Sequence, residues 1–297
     1  MGTIIDHATV TPAGWHSRHS ALKIAVATSK ACLDEMGWSP NDLDLLVNVG
    51  LYRDRDLGEP ALAALIQQDI GANPEDPYPG THGTFSFDLA NGVCGPLTAL
   101  KVVDGFLHSG SIQRALVVAS DADPGHGIAK DFPFAGAGAA MLCSWTDDEV
   151  GLGPIRWANF PDGGETFRTT VTYADGHNRL EVTAADSIDD VFAVAGAKVA
   201  LDCLDAASID LDAVDCVVAA PARAGFAAEL AAHMGVKPGL VAVASDERIH
   251  TAALIAALHD ARAGGRIRPG AVVLLVAVGA GVTAGAALYR VPPDTRH

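Results

Sequence analysis

A cysteine lies at the start of an apolar helical stretch, where a thiolate would be stabilised. Residues 87–100, FDLANGVCGPLTAL, predict a buried strand, a sharp glycine-flanked turn and then a helix. Unpaired backbone N–H groups and the helix dipole favour an anion at a helix N-terminus, and Pro96 is tolerated in a first turn. Cys94 is therefore a candidate nucleophile, and Gly95 beside it is a candidate for a pocket or oxyanion position. The alternative is a small buried residue, because one step along a turn re-aims a side chain.

Histidine supplies the second candidate group, since an imidazole can donate a hydrogen bond or accept a proton. His250 stands just before an apolar helical stretch and could face a pocket or merely begin that helix. His82 lies ahead of the strand that contains Phe87 and could reach a pocket edge, although a loop histidine is the simpler interpretation. The histidines and cysteines form no His-x-x-x-His or Cys-x-x-Cys pair, so neither a metal nor another cofactor is expected.

Composition limits the class of protein. The formal net charge of −16 makes binding to nucleic acid unfavourable and argues mildly against docking on an acidic carrier protein. Five cysteines without regular spacing favour reduced thiols and a cytoplasmic location. The start of the chain lacks a basic and apolar leader. The uncharged residues 271–289 contain several glycines, which favours two core strands around a turn over a membrane span.

A helix–turn–strand unit recurs along the chain. The helix, short turn and strand predicted over residues 30–47 recur over residues 201–218 without a gap, and Leu204 lies 171 positions after Leu33 (204 − 33). Two further pairs follow in the same order: residues 98–120 with 252–277, and residues 136–142 with 283–289. One such pair is common in any α/β protein, but three in one order favour an internal duplication.

The duplication predicts the architecture. Apolar strands with little alternation indicate sheets that are covered by helices on both faces. Two such halves stacked together give a five-layered α/β/α/β/α fold. We expect a first half over residues 1–165 that carries Cys94 and a second half over residues 166–297 that carries His250.

Four segments together resemble the thiolase superfamily, in particular the ketoacyl synthase III-like condensing enzymes. Residues 87–89 are similar to the Phe-Asp-Val/Leu strand of that family, and residues 115–118 to the strand after its nucleophile helix. Residues 134–140 are similar to its Gly-Asp-Gly-Ala-Gly-Ala-Ala turn, although Phe134 and Ala135 stand where Gly and Asp are usual. Residues 264–285 resemble the family's closing segment, whose glycine-rich loop makes Gly281 a further pocket candidate.

The resemblance places the family's catalytic Cys, His and Asn on altered residues. Without a gap, the Cys position falls on Val93, one residue before Cys94, the His position falls on Ala220 and the Asn position on His250. The resemblance also places His250 opposite the turn that carries Cys94, so a thiol–imidazole couple of Cys94 and His250 is the preferred catalytic pair. The N-terminal segment is too short for the family's full coenzyme A clamp.

Three functions follow from this resemblance. The first is an enzyme that performs acyl transfer or Claisen-type condensation on acyl-CoA or acyl carrier protein thioesters, in fatty acid or polyketide-type biosynthesis, with Cys94 acylated. The second is a catalytically silent subunit that completes the dimer of an active homologue, and the third is a thioester hydrolase. We expect a homodimer or heterodimer, paired through residues 87–90, because an edge strand otherwise leaves backbone groups unpaired.

Overall fold

Two mixed β-sheets, separated and flanked by helices, form the body of the protein. The computed structural model describes all residues except 1, 15–16, 18, 54–59, 74–82, 126–127, 130–131, 175 and 294–297. The helices are α1 Ala21–Met36, α2 Leu62–Ile70, α3 Gly95–His108, α4 Ile188–Ala207, α5 Ala224–Met234 and α6 Ala253–Ala263. The strands are β1 Gly2–Pro12, β2 Leu45–Asn48, β3 Phe85–Asp88, β4 Arg114–Asp121, β5 Ala137–Thr146, β6 Gly151–Leu152, β7 Arg156–Asn159, β8 Phe167–Ala174, β9 His177–Ala184, β10 Cys216–Ala220, β11 Val241–Ala242, β12 Val272–Gly279 and β13 Thr283–Arg290.

The two sheets have corresponding strand orders. The first sheet runs β1-β5-β4-β2-β3. The second runs β6-β13-β12-β10-β11, and β7 also pairs with β13, so each strand of the first sheet has a counterpart at the same place in the second. In both sheets the central pairs are parallel and the hairpin-like pair, β4 with β5 or β12 with β13, is antiparallel. Helices α1 and α4 end 171 residues apart (207 − 36), and β2 and β10 begin 171 residues apart (216 − 45). The recurring units of the sequence therefore occupy equivalent places in the fold.

The layers follow from where apolar side chains are buried. Helices α1 and α2 pack on the outer face of the first sheet. Helices α3 and α6 lie between the two sheets in a core that both sheets share, and α4 and α5 cover the outer face of the second sheet. Strands such as β4 and β12 are buried along almost their whole length, because helices cover both faces. The predicted five-layered α/β/α/β/α arrangement is confirmed.

The boundary at residue 165 stays a prediction, and two short strands ahead of it join the second sheet. Strands β6 and β7 precede that boundary, yet both pair with β13 of the second sheet. Strands β8 and β9 then form a separate two-stranded hairpin. This pairing was not predicted, because β6 has only two residues and β7 only four, too few for a strand pattern.

A glycine on β5 allows α1 to pack closely against the first sheet. A Cβ on Gly138 of β5 would lie 2.3 Å from Thr28 Oγ1 and 2.8 Å from Ile24 Cγ2, both on α1. Only glycine therefore lets α1 approach the first sheet so closely. No helix in the described part of the chain has the length and apolar character needed to cross a bilayer.

Candidate active site

A cavity of about 450 Å³ opens where the two halves meet. Segments from both halves line it: the turn of residues 91–93, the start of α4, the loops after β10 and β12, and the hairpin β8–β9. Its wall is mainly apolar and aromatic. The ring-bearing residues that line it are Tyr52, Phe134, Phe167, Phe192 and His250.

The turn between β3 and α3 presents Val93, and not Cys94, to this cavity. Gly92 has a φ of +49°, and the short helical turn Gly92–Cys94 then leads into α3. Val93 lines the cavity, whereas Cys94 is 1% exposed. The Cys94 Sγ lies 3.5 Å from the carbonyl oxygen of Thr283, and a Cβ on Gly279 would lie 3.3 Å from it. The sulfur is therefore packed against the last two strands of the second sheet.

This placement disfavours a nucleophilic Cys94, which stays a prediction from the sequence. Burial raises the pKa of the Cys94 thiol from 9.0 to about 12, because the thiolate would lose its hydration. A thiol in that state is poorly nucleophilic at neutral pH. The single step between Val93 and Cys94 turns the side chain away from the cavity, and the polar contact of the sulfur is with the Thr283 carbonyl.

His250 lies in the cavity wall, as predicted, and aromatic rings surround it. It is 7% exposed and stands just before α6. The centroid of its ring lies 4.4 Å from that of Phe134, 5.1 Å from that of Tyr52 and 5.9 Å from that of Phe167. A Cβ on Gly92 would lie 3.7 Å from His250 Cε1, so the imidazole sits beside the turn that carries Val93.

Burial lowers the pKa of His250 below its ordinary value of 6.5, and the nearby Asp121 carboxylate partly opposes this. The imidazole is consequently neutral at physiological pH. Its Nδ1 is buried and has no hydrogen-bond partner among the described residues, and Asp121 Oδ2 lies 3.9 Å away. A neutral imidazole in an apolar wall can take up or release a proton.

Asp121, at the end of β4, joins both halves behind this wall. Its Oδ1 accepts hydrogen bonds from the backbone N–H groups of Leu51 and Tyr52. Its Oδ2 accepts from the backbone N–H and the hydroxyl of Thr251. Asp121 was not among the predicted site residues. The sequence feature that could have identified Asp121 is a carboxylate at the carboxyl end of a buried strand, where functional sites of α/β proteins form.

Tyr52 and the β8–β9 hairpin line another side of the cavity. The Tyr52 hydroxyl lies 2.9 Å from Thr169 Oγ1 on β8, and its ring stacks on Phe134 at 5.3 Å. Burial raises the pKa of Tyr52, so the phenol stays protonated. Tyr52 and Phe167 come from chain segments more than a hundred residues apart. Local sequence patterns therefore could not predict that Tyr52 and Phe167 line the same cavity.

The charged groups at the cavity edge are one ion pair and one carboxylate that binds the backbone. Arg223 binds both carboxylate oxygens of Asp189, through its Nε and at 3.1 Å through Nη2. This pairing raises the pKa of the Arg223 guanidinium. Glu247 accepts a hydrogen bond from the backbone N–H of Ala224 at 3.3 Å. This edge therefore presents an ion pair and a carboxylate.

The other sequence candidates lie outside the cavity wall or outside the described residues. Gly95 packs against Val49, where an added Cβ would lie 3.1 Å from Val49 Cβ. Gly281 has a φ of +71° and turns the chain between β12 and β13, while its neighbours Gly279 and Ala280 line the cavity. Ala220 is buried in β10, and the wall instead takes Pro221, Ala222 and Arg223. His82 lies outside the described residues.

One group of potential metal ligands occurs in the described part of the chain. Asp190, Glu229 and His233 are exposed on α4 and α5, and their ligand atoms lie within 4.8 Å of one another. His233 Nε2 lies 2.9 Å from Asp190 Oδ1, which is an ordinary surface ion-pair contact.

Comparison with known proteins gives the family. Residues 204–291 match the model of the 3-oxoacyl-[acyl-carrier-protein] synthase III C-terminal region. The beta-ketoacyl-[acyl-carrier-protein] synthase III of Sodalis glossinidius is 33% identical over 245 residues, which cover 78% of this chain and 72% of that protein. The chain belongs to the beta-ketoacyl-[acyl-carrier-protein] synthase III family.

Solved structures agree with this assignment. The synthase III of Pseudomonas aeruginosa superposes with a TM-score of 0.80 at 17% identity, covering 98% of this chain and 99% of that one. A priming beta-ketosynthase from a polyketide biosynthetic pathway gives 0.79 at 17% identity, covering 98% and 96%. The thiolase-like fold and the ketoacyl synthase III resemblance are confirmed, and the synthase III relatives are transferases of the condensing type. Within that family this chain carries Val93 where the resemblance places the acylated cysteine.

Proposed function

We propose that the protein is an acyltransferase of fatty acid or polyketide-type biosynthesis that acts on acyl thioesters without forming an acyl-enzyme. The acyl group, delivered on coenzyme A or on a carrier protein, enters the cavity between the halves. An acceptor bound in the same cavity attacks the thioester carbonyl carbon directly. The bond from carbon to sulfur breaks, and the thiol carrier leaves.

The cavity wall at the turn after β3 carries this proposal. That wall offers the hydrocarbon side chain of Val93 and no thiol, and the His250 imidazole lines the cavity beside it. A covalent intermediate on Cys94 would need the buried sulfur to leave its place beside Thr283. Direct transfer needs only that donor and acceptor be held together beside a group that handles a proton.

The volume and lining fit an apolar acyl group. About 450 Å³ lies within the range of small-molecule sites, and the aromatic residues supply apolar contact. The paired charges of Arg223 and Asp189 lie at the edge, where the polar carrier of the acyl group would remain.

Turnover of acyl thioesters tests the proposal. The full chain is incubated with coenzyme A thioesters of short, long and aromatic acyl groups, with hydroxyl, amine and malonyl-thioester acceptors and with water alone, and products are measured by mass spectrometry. We expect a transferred product, no protein-bound acyl group, and loss of turnover in His250→Gln. Cys94→Ala is the matched control, and we expect it to keep wild-type activity. Release of free acid without an acceptor would identify the hydrolase instead.

A catalytically silent subunit is the second candidate. The observation in its favour is that Val93 and Ala220 occupy family catalytic positions and cannot transfer protons or acyl groups. In this case the chain would complete a heterodimer with an active homologue. Absence of turnover with every thioester, together with co-purification of a related protein of similar size, would favour this function over the transferase.

Assembly and location remain proposals as well. Strand β3 forms one edge of the first sheet, and Phe85 on it is 58% exposed. We propose that β3 pairs with its counterpart in a second subunit, and that the protein acts in the cytoplasm.

A further inference from the structure

Asp121 is buried behind His250 and binds groups from both halves of the molecule. Its two carboxylate oxygens accept four hydrogen bonds, from the N–H groups of Leu51 and Tyr52 and from the N–H and hydroxyl of Thr251. Thr251 is the residue after His250, and the Tyr52 ring lies 5.1 Å from the imidazole. The carboxylate therefore fixes the backbone on two sides of the His250 ring.

The same carboxylate faces one nitrogen of that ring. Asp121 Oδ2 lies 3.9 Å from His250 Nδ1, and Nδ1 is buried without a hydrogen-bond partner among the described residues. An acceptor oxygen opposite a ring nitrogen favours the tautomer in which that nitrogen carries the proton, because two lone pairs facing each other repel. Of the groups described in contact with the ring, Asp121 and Tyr52 are the titratable ones.

We propose that Asp121 is a positioning residue that holds neutral His250 with its proton on Nδ1, so that Nε2 presents a lone pair to the substrate. Such a histidine accepts a proton at Nε2 and cannot donate one there to an enolate or oxyanion. The acceptor substrate is therefore a compound with a transferable proton on oxygen or nitrogen, an alcohol or an amine. This choice of acceptor rests on the proposed function, whereas the tautomer does not.

In the proposed transfer, one bond to the carbonyl carbon forms, one breaks, and His250 carries the proton from the acceptor to the leaving thiolate. The acceptor oxygen or nitrogen forms a bond to the thioester carbonyl carbon and gives its proton to His250 Nε2. The bond from carbon to sulfur breaks, and the departing thiolate takes that proton from Nε2. The imidazolium formed between these events lies beside the Asp121 carboxylate, which stabilises the added charge.

Nuclear magnetic resonance of the full chain labelled with ¹⁵N-histidine tests the tautomer without any turnover. The His250 signals are identified by their loss in His250→Phe. We expect a protonated Nδ1 and an unprotonated Nε2 at neutral pH. A proton on Nε2 in the wild-type chain would overturn the proposal.

Two substitutions test the role of Asp121. In Asp121→Asn the pKa of His250 should fall further, because the nearby carboxylate raises it. In Thr251→Val the hydroxyl no longer binds Oδ2, so the carboxylate is freer to bind Nδ1 and the pKa of His250 should rise. Asp44→Asn is the matched control: it removes a buried carboxylate that accepts backbone N–H groups of Gln113 and Arg114, and we expect no change at His250. Equal shifts in Asp44→Asn and Asp121→Asn would assign Asp121 a merely structural role.

Activity supplies an independent readout. With an alcohol or amine acceptor we expect Asp121→Asn to lower kcat by about tenfold or more, with KM little changed. If the expected tautomer is found but no acceptor is acylated, the proposed function fails and the positioning role stands. If acylation proceeds with Nε2 protonated, the positioning role fails and the function stands.

Discussion

At the scale of single residues, the buried imidazole is the most consequential group in the cavity. His250 gains ring contacts with Phe134, Tyr52 and Phe167 at the expense of its hydration. The neutral form therefore dominates in the folded chain, and the unfolded chain binds a proton more readily. This difference links the stability of the fold to pH.

We predict that His250→Phe removes part of the acid sensitivity of the protein. Between the lowered folded pKa and the ordinary value of 6.5, protons bind His250 mainly in the unfolded chain, so the free energy of unfolding falls as pH drops through this window. The contribution is at most about 1.4 kcal/mol per pH unit. Chemical unfolding at pH 7.5 and at pH 5.5 measures it, and the loss on acidification should be smaller in the variant. An equal loss in both proteins would contradict the burial of a neutral imidazole.

At the scale of elements, the turn between β3 and α3 decides which side chain reaches the cavity. The positive φ of Gly92 and the short helical turn after it direct Val93 into the wall and Cys94 towards Thr283. Sequence comparison located the turn, but the direction of a side chain depends on backbone angles that a residue count does not give. The offset of one residue was visible in the sequence, which left open whether the Cys94 side chain faces the cavity or is buried.

We predict that moving the thiol by one position creates an acyl-enzyme. The double variant Val93→Cys with Cys94→Ala places sulfur in the cavity wall at the N-terminus of α3, where a thiolate is favoured. Intact-mass measurement after incubation with an acyl thioester should show one added acyl group. The single variant Cys94→Ala and the wild-type chain should show none. An adduct on Cys94 of the wild-type chain would instead restore the nucleophile predicted from the sequence.

Glycines set the spacing between elements, and two of them allow a matched comparison. A Cβ on Gly138 would strike Thr28 and Ile24 of α1, whereas a Cβ on Gly105 of α3 meets no atom within 4 Å. We predict that Gly138→Ala lowers the free energy of unfolding by about 1–3 kcal/mol through overpacking. Gly105→Ala should raise it by about 0.5–1 kcal/mol, because alanine favours a helix over glycine. Denaturant titration compares them, and equal effects would refute the close contact of α1 with β5.

At the scale of the whole molecule, much of the architecture could be predicted from the sequence because it is repeated. The unit over residues 30–47 and its copy over residues 201–218 fixed the equivalence of β2 with β10, and the structure preserves their spacing. The cavity could be predicted only in part. His250 was found through its place before an apolar helix and through the family resemblance. Tyr52 and Phe167 meet through tertiary folding, which no local sequence pattern predicts.

We predict a dimer that depends on the exposed edge of the first sheet. Strand β3 is the last strand of that sheet, and Phe85 on it is 58% exposed. A charge at this position should oppose pairing with a second chain. Sedimentation analysis should show a dimer for the wild-type chain and a shift towards monomer for Phe85→Glu. Tyr173→Glu, on the hairpin β8–β9 and 76% exposed, is the control and should stay dimeric. A wild-type monomer would remove the proposed interface.

The pairing of β6 and β7 with β13 has a practical consequence for dissecting the protein into two fragments. A polypeptide that begins at residue 166 lacks the two short strands that pair with β13. The exposed edge of β13 would then promote aggregation. A break between Thr146 and Gly151 keeps those strands with the sheet they complete. Two fragments divided between Thr146 and Gly151 and expressed together should reassemble into the native fold more readily than fragments divided at residue 166.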